Sequence, residues 1–292
     1  MTNKVFVLTD ITSDLGKALA LNLARTGKVL VMVAPDADQG NTFLQEIRLA
    51  TQNFNSNLEL CDLSVLSSVR NLAEILKSKY QKIDVLINNA SVYKRQRKAT
   101  VDGFEEMFAV NYLGPFLLTN LLLETLQTAV QENGGARILN ITAASMSPLD
   151  FDDLHSERNF NSIKAFEAAR MASLLFTFAL ARQLENTGIV VNAIHPDSAL
   201  RKKTFAPLRL FEWLSSRPSD KVPEGILQAA TGLEFEKITG KFLQDGREIE
   251  APAYAYDPDV QQRLWKVSED LTQITLTRGV TPVNDPHFRE RS

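Results

Sequence analysis

Cysteine is almost absent: Cys61 is the one thiol in 292 residues. An internal disulfide is excluded, and a reducing compartment is the natural expectation. Long apolar runs are missing too. No stretch of about 18 apolar residues appears, so no transmembrane segment is expected. The N-terminus lacks the charged and apolar regions of a secretory signal, which makes cytoplasmic the default location. Charge of one sign is scarce, with 32 basic residues against 35 acidic ones and a net of −3. That balance argues against nucleic acid as a partner. Only three histidines occur. His155 and His287 have no metal-ligand spacing with any Cys or His, and His195 reads as structural, so no metal is expected. There is no internal repeat and no low-complexity linker. One domain over residues 1–279, followed by a loose polar tail over 280–292, is the simplest organisation.

Present instead is a regular alternation of strand and helix signals. Candidate strands are Val5–Thr9, Val29–Val33, Asn57–Cys61, Val85–Asn88, Arg137–Ile141, Val190–His195 and Lys241–Leu243. Helical patterns lie between them, including Asn161 to Asn186. Such alternation predicts an α/β fold: a single doubly wound parallel sheet with helices on both faces. Right-handed crossovers place the first strand in the middle. The organising stretch is Lys4 to Gly27. Val5-Phe6-Val7-Leu8 is continuously apolar, as a strand buried on both faces should be. The turn Thr9-Asp10-Ile11-Thr12-Ser13-Asp14-Leu15-Gly16 follows, then a helix with Leu15, Leu19 and Leu23 inward. Strand, tight turn and helix together form the phosphate-binding opening of a dinucleotide-binding domain.

Further landmarks appear in order. Asp62-Leu63 follows the third strand, and Asn88-Asn89-Ala90-Ser91 ends the fourth. Val110-Asn111-Tyr112-Leu113-Gly114, Phe151-Asp152-Asp153-Leu154, Val191-Asn192-Ala193-Ile194-His195-Pro196 and Arg263-Leu264-Trp265 come later. This set resembles the short-chain dehydrogenase/reductase superfamily. Within it the chain looks like the retinol-dehydrogenase-like branch, to which protochlorophyllide reductases and WW-domain oxidoreductases are related. The match runs from about residue 4 to residue 276.

The resemblance implies hydride transfer between a nicotinamide and a carbonyl or alcohol. It implies a tyrosine proton donor, a lysine four residues later, a serine that polarises the carbonyl and an asparagine that holds a water. The developing alkoxide needs such a donor and a nearby cation. Only the asparagine is retained, as Asn111. The serine, tyrosine and lysine positions fall at Ala143, Phe166 and Arg170. A competing register, Phe160 with Lys164, restores the lysine but breaks both flanks. Phe166 reads either as core packing or as an aromatic floor under a bound ring. Arg170 reads as a ribose, phosphate or carboxylate contact rather than a solvated charge. Ser145, Tyr93 and Tyr112 are hydroxyls that could substitute for the missing donor.

The implied cofactor site is altered as well. Its family positions are Thr9, Asp10, Ile11, Asp14, Leu15, Asp62, Leu63, Asn89, Ala90, Pro196 and Asp197. Asp10, Asp14 and Asp197 stand where the family has glycine. Asp10 and Asp14 would face a pyrophosphate, and unit charges about 5 Å apart repel by roughly 3 kcal/mol at an intermediate dielectric. An aspartate at positive φ costs about 1–2 kcal/mol more. Alternatively Asp14, with Ser13, caps the helix and its carboxylate fills the anion site. Pro35 and Gln39 occupy positions where a basic residue would clamp a 2′-phosphate. NADP is therefore disfavoured, and the expected cofactor is none or weakly bound NAD.

Tyr93 opens a basic loop, Lys94-Arg95-Gln96-Arg97-Lys98, which reads as solvated surface or a pocket wall. The stretch containing Phe205, Leu208, Phe211 and Trp213 suits a lid over a hydrophobic or aromatic small molecule. The helices Tyr112–Glu132 and Asn161–Asn186 are rich in Leu, Phe and Ala. Their faces look larger than one core needs, which implies a homo-oligomer or a hetero-oligomer with an active relative. The preferred expectation is a member that has lost standard hydride transfer and acts as a ligand-binding, non-redox or silent-subunit protein. The alternative is an active NAD(P)-dependent oxidoreductase with a relocated donor. A further one is a cyclase or isomerase in the old pocket.

Overall fold

A computed structural model of the chain describes residues 4–196 and 224–274. Its strands are β1 (Val5–Thr9), β2 (Val29–Ala34), β3 (Ser56–Leu60), β4 (Val85–Asn88), β5 (Ala136–Ile141), β6 (Ile189–His195), β7 (Lys241–Gln244) and β8 (Arg247–Glu248). They form one sheet in the order β3-β2-β1-β4-β5-β6-β7-β8. All pairings are parallel except the last, the short β7–β8 hairpin. The seven expected strands are present within a residue of their expected ends, with β1 in the interior as the crossover rule requires. The two-residue β8 is too short to leave a period in the sequence.

The described helices are α1 (Asp14–Ala24), α2 (Ala37–Thr51), α3 (Leu66–Lys79), α4 (Glu106–Leu121), α5 (Leu123–Asn133), α6 (Ser162–Gln183), α7 (Glu224–Thr231) and α8 (Pro258–Thr272). Two apolar layers sandwich the sheet. One gathers Leu19, Leu23, Ile47 and Ile226 from α1, α2 and α7. The other gathers Leu72, Phe116, Leu126 and Leu174 from α3, α4, α5 and α6. Among the described residues no single helix is long and apolar enough to cross a membrane.

Helix α8 changes the reading of α4 and α6. Trp265 lies 5.3 Å from the Phe116 ring and 5.8 Å from the Phe176 ring, centre to centre. The Tyr112 hydroxyl meets Ser268 Oγ at 2.5 Å. Aromatic pairs of this kind add about 0.5–1.5 kcal/mol each beyond their buried area. Every residue of α6 from Met171 to Ala181 is buried within the chain itself. Helix α8 thus covers part of the apolar face of α4 and α6, at Tyr112, Phe116 and Phe176. Asp197, the Phe205–Trp213 stretch and the 280–292 tail lie outside the described residues.

Candidate functional site

The carboxyl ends of β1 to β4 open on a cleft of about 420 Å³. Its floor starts at the β1–α1 turn. Asp10 adopts φ 53°, the left-handed conformation that usually calls for glycine. The carboxylate makes this tolerable: Asp10 Oδ1 accepts from Thr12 N at 3.1 Å and from Thr12 Oγ1 at 2.6 Å. An aspartate that bonds its own turn is among the few L residues that adopt this shape readily. The retained Gly16 has a steric reason. A Cβ there would sit 2.0 Å from the Asp10 carbonyl oxygen.

Asn89 fixes the same turn from β4. Its Nδ2 donates to the Asp10 carbonyl at 2.8 Å and to the Thr9 carbonyl at 3.2 Å. Thr9 Oγ1 accepts from the amides of Asn89 and Ala90 at 2.9 and 3.2 Å. Ile11 is fully buried, and its amide donates to Val33. Leu15 is half-buried behind the turn. Asp14 requires a correction. Ser13 is the cap of α1, accepting from Gly16 N at 3.1 Å, while Asp14 is the exposed first helical residue and lies outside the cleft lining. Its carboxylate does not fill the anion site.

The outer half of the cleft is lined by Val33, Pro35, Cys61, Asp62, Leu63 and Ser64. No basic residue stands among them. Asp36 and Gln39 are taken up in capping α2, the Gln39 amide donating to Asp36 Oδ1 at 2.8 Å. Burial pushes the Cys61 thiol up to about 11, which removes it as a nucleophile at neutral pH. The acids in the cleft are Asp10, Asp62 and Glu106, against Lys98 as the lining cation. Lys98 Nζ lies 3.4 Å from Glu106 Oε2, and Lys94 Nζ lies 3.2 Å from Glu106 Oε1. Arg97 donates to the His155 carbonyl and pairs with Glu157. The basic loop is thus folded into ion pairs, not simply solvated.

Helix α4 supplies Glu106 and Val110 to the lining, and α6 lies behind it, reaching the lining residue Ser91 through Arg170. Asn111 sits in a π-helical turn, Ala109–Leu113, of α4. Its Oδ1 accepts from Val92 N at 2.7 Å, and its Nδ2 donates to Val92 O at 2.9 Å. It therefore clips the loop after β4 to the helix. Ala143 is buried just past β5. Phe166 is 0% exposed, with its ring edge-on to Tyr93 at 5.7 Å. Packing among Met107, Ala165, Tyr93 and Phe160 is the role observed for it.

Arg170 is 1% exposed, so it is not solvated. Its Nη1 donates to the Ile141 carbonyl at 3.0 Å, and its Nη2 donates to Ser91 Oγ. The guanidinium carbon stands 4.9 Å above the Phe166 ring. Burial pulls this group down to about 9. The competing register fails on geometry: Phe160 precedes the Asn161 cap, and Lys164 is exposed in the first turn.

The substitute hydroxyls are scattered. Tyr93 Oη meets Ser162 Oγ at 3.0 Å, beside Phe166. Ser145 bonds Glu167 together with Ser147. Tyr112 is fully buried under α8, and burial raises its phenol further out of reach. It is removed from the candidate donors. The contacts that sequence reasoning missed are the Arg170–Ser91 bond, the Glu106–Lys98 pair in the lining, and the Glu167 carboxylate between two serines. Only the first left a signal: Ser91 ends an Asn-Asn-Ala motif where glycine is usual.

The model of the short chain dehydrogenase family matches residues 4–204. The chain belongs to the short-chain dehydrogenase/reductase family. It is 34% identical over 283 residues to human retinol dehydrogenase 13, covering 92% of this chain and 84% of that one. Human polyprenol dehydrogenase is 31% identical over 283 residues, with 93% and 86% covered. A crystal structure of a protein from Mycobacterium paratuberculosis superposes with a TM-score of 0.74 at 28% identity, covering 94% of this chain and 95% of that one. These relatives place the chain in the retinol-dehydrogenase-like branch. Members of the family normally bind NAD(P).

Proposed function

We propose that this member of the family has lost standard hydride transfer and uses its cleft to bind a ligand without redox chemistry. One observation carries the reading. Where the family's tyrosine would deliver a proton, Phe166 is buried against Tyr93 and has no exchangeable proton. A positioned general acid typically contributes about 10²–10⁴ in rate. The neighbouring cation supports it. Arg170 holds Ile141 and Ser91, and a guanidinium does not shuttle protons at neutral pH.

Weak or absent NAD binding and disfavoured NADP are part of the same proposal. Among the described residues three carboxylates line the cleft, of which Glu106 is paired with Lys94 and Lys98, and a dinucleotide brings two or more phosphate charges. A hydrophobic or aromatic small molecule remains the ligand class, in keeping with the retinol and polyprenol named in two relatives. Service as a silent subunit would need a surface other than the part of the α4–α6 face that α8 covers.

The test is an assay of the purified protein with NADH and NADPH, using retinaldehyde and simple carbonyl compounds. No turnover is expected. Steady cofactor oxidation would overturn the reading. A second reading, an active oxidoreductase with a relocated donor, is favoured by one contact, the Tyr93 hydroxyl beside Phe166. It predicts turnover that Tyr93→Phe abolishes.

A further inference from the structure

Two departures from the family pattern touch each other. Ser91 stands at the end of the Asn88-Asn89-Ala90 motif, and Arg170 stands one helical turn beyond Phe166. They lie 79 residues apart in sequence, yet Arg170 Nη2 donates to Ser91 Oγ. A glycine at 91 would offer no hydroxyl to meet the guanidinium. The two changes therefore work as one unit.

The unit has a direction. Arg170 is buried and is held from behind by the Ile141 carbonyl, while its own carbonyl accepts from Thr142 Oγ1 at 3.2 Å. Ser91 is half-buried and belongs to the cleft lining. A hydroxyl that accepts from a guanidinium keeps its proton to donate elsewhere, and the cation makes that proton a stronger donor. The cleft lining thus presents a cation-backed O–H at Ser91. Beside it the wall is apolar, formed by Ala90, Val92 and Val110. The same lining holds Asp10 and Asp62, and Glu106 paired with Lys94 and Lys98.

We infer that Ser91 and Arg170 form an anchor for the head of an apolar monocarboxylate, seated with its body along Ala90, Val92 and Val110. One carboxylate gains the charge-assisted bond from the Ser91 O–H. This rests on the reading that the cleft has exchanged its dinucleotide for another ligand, and it names the chemistry of that ligand.

The test uses cinnamate and cinnamamide, which share one apolar body and differ in head charge. Calorimetric titration of the full chain should give at least about a tenfold preference for cinnamate, the value of a hydrogen bond to a charged group. Ser91→Ala should reduce cinnamate affinity about tenfold and reduce cinnamamide affinity by less, because the amide carbonyl accepts only a neutral hydrogen bond. Ser91→Gly, which restores the family residue, should do the same and covers the case in which the alanine variant folds poorly. Equal binding of acid and amide to the unmodified protein would overturn the anchor. So would a cinnamate affinity that neither Ser91 variant alters. Turnover with NADH, measured in parallel, would defeat the proposed function by a separate readout.

Discussion

The β1–α1 turn and helix α6 have both left the family pattern, but by opposite routes. The turn keeps its backbone and changes what it presents. Asp10 holds the left-handed conformation of a glycine, and Thr12 satisfies its carboxylate. Gly16 stays because nothing larger fits against the Asp10 carbonyl. Helix α6 keeps its burial and, on the proposed reading, changes its chemistry. Phe166 and Arg170, where the resemblance puts the family's tyrosine and lysine, are a buried ring and a buried guanidinium held by the Ile141 carbonyl. On the proposed reading, steric demands of a fold outlast chemical demands of a site. Where both act on one residue, the steric one is met by new local bonds.

Substitutions should sharpen this contrast, and the largest effect falls on α6. Phe166→Ala removes a fully buried ring and should cost about 3–5 kcal/mol in urea unfolding. A cost near that of a surface change would show that the ring is not core. Gly16→Ala comes next. Its Cβ meets backbone, so about 3 kcal/mol is expected, with loss of the β1–α1 turn geometry. Asp10→Ala combines left-handed strain with loss of the Thr12 bonds and should cost about 1–2 kcal/mol, whereas Asp10→Gly should change stability little. If the two variants behave alike, the conformational account of Asp10 is wrong.

The smallest effect concerns Glu105, which caps the start of α4 by accepting from Phe108 N at 2.8 Å. Burial raises its carboxyl above the usual range, against the opposing pull of the Met107 and Phe108 amides. The folded state then holds the proton more tightly than the unfolded state. Stability from this group is full below its ordinary value and is lost as pH rises through the raised one. Glu105→Gln cannot ionise, so its stability relative to wild type should grow from acid to neutral pH. A flat or reversed difference would contradict this.

Much of the fold was legible because parallel strands buried on both faces read as continuous apolar runs, as in Val5–Leu8 and Val29–Val33. The motifs that point to the site were legible because they are local. Contacts between distant segments were not. The Arg170–Ser91 bond, the Glu167 clasp on Ser145 and Ser147, and the cover of α8 over Phe116 and Phe176 join residues whose separation carries no periodic signal. The role of Asp14 was misread for a similar reason. Ser13 and Asp14 are both good caps, and only the backbone decides which precedes the helix.

The central claim is loss of chemistry at Phe166, and weak cofactor binding must not be allowed to imitate it. The most direct measurement is therefore a single-turnover experiment with concentrated protein in excess over NADH and an aldehyde, followed by nicotinamide absorbance. It is run on wild type, on Tyr93→Phe and on the Ala143→Ser, Phe166→Tyr, Arg170→Lys variant. The account predicts that wild type and Tyr93→Phe leave NADH unoxidised. Oxidation by wild type that Tyr93→Phe abolishes would contradict it and assign the proton to the relocated tyrosine.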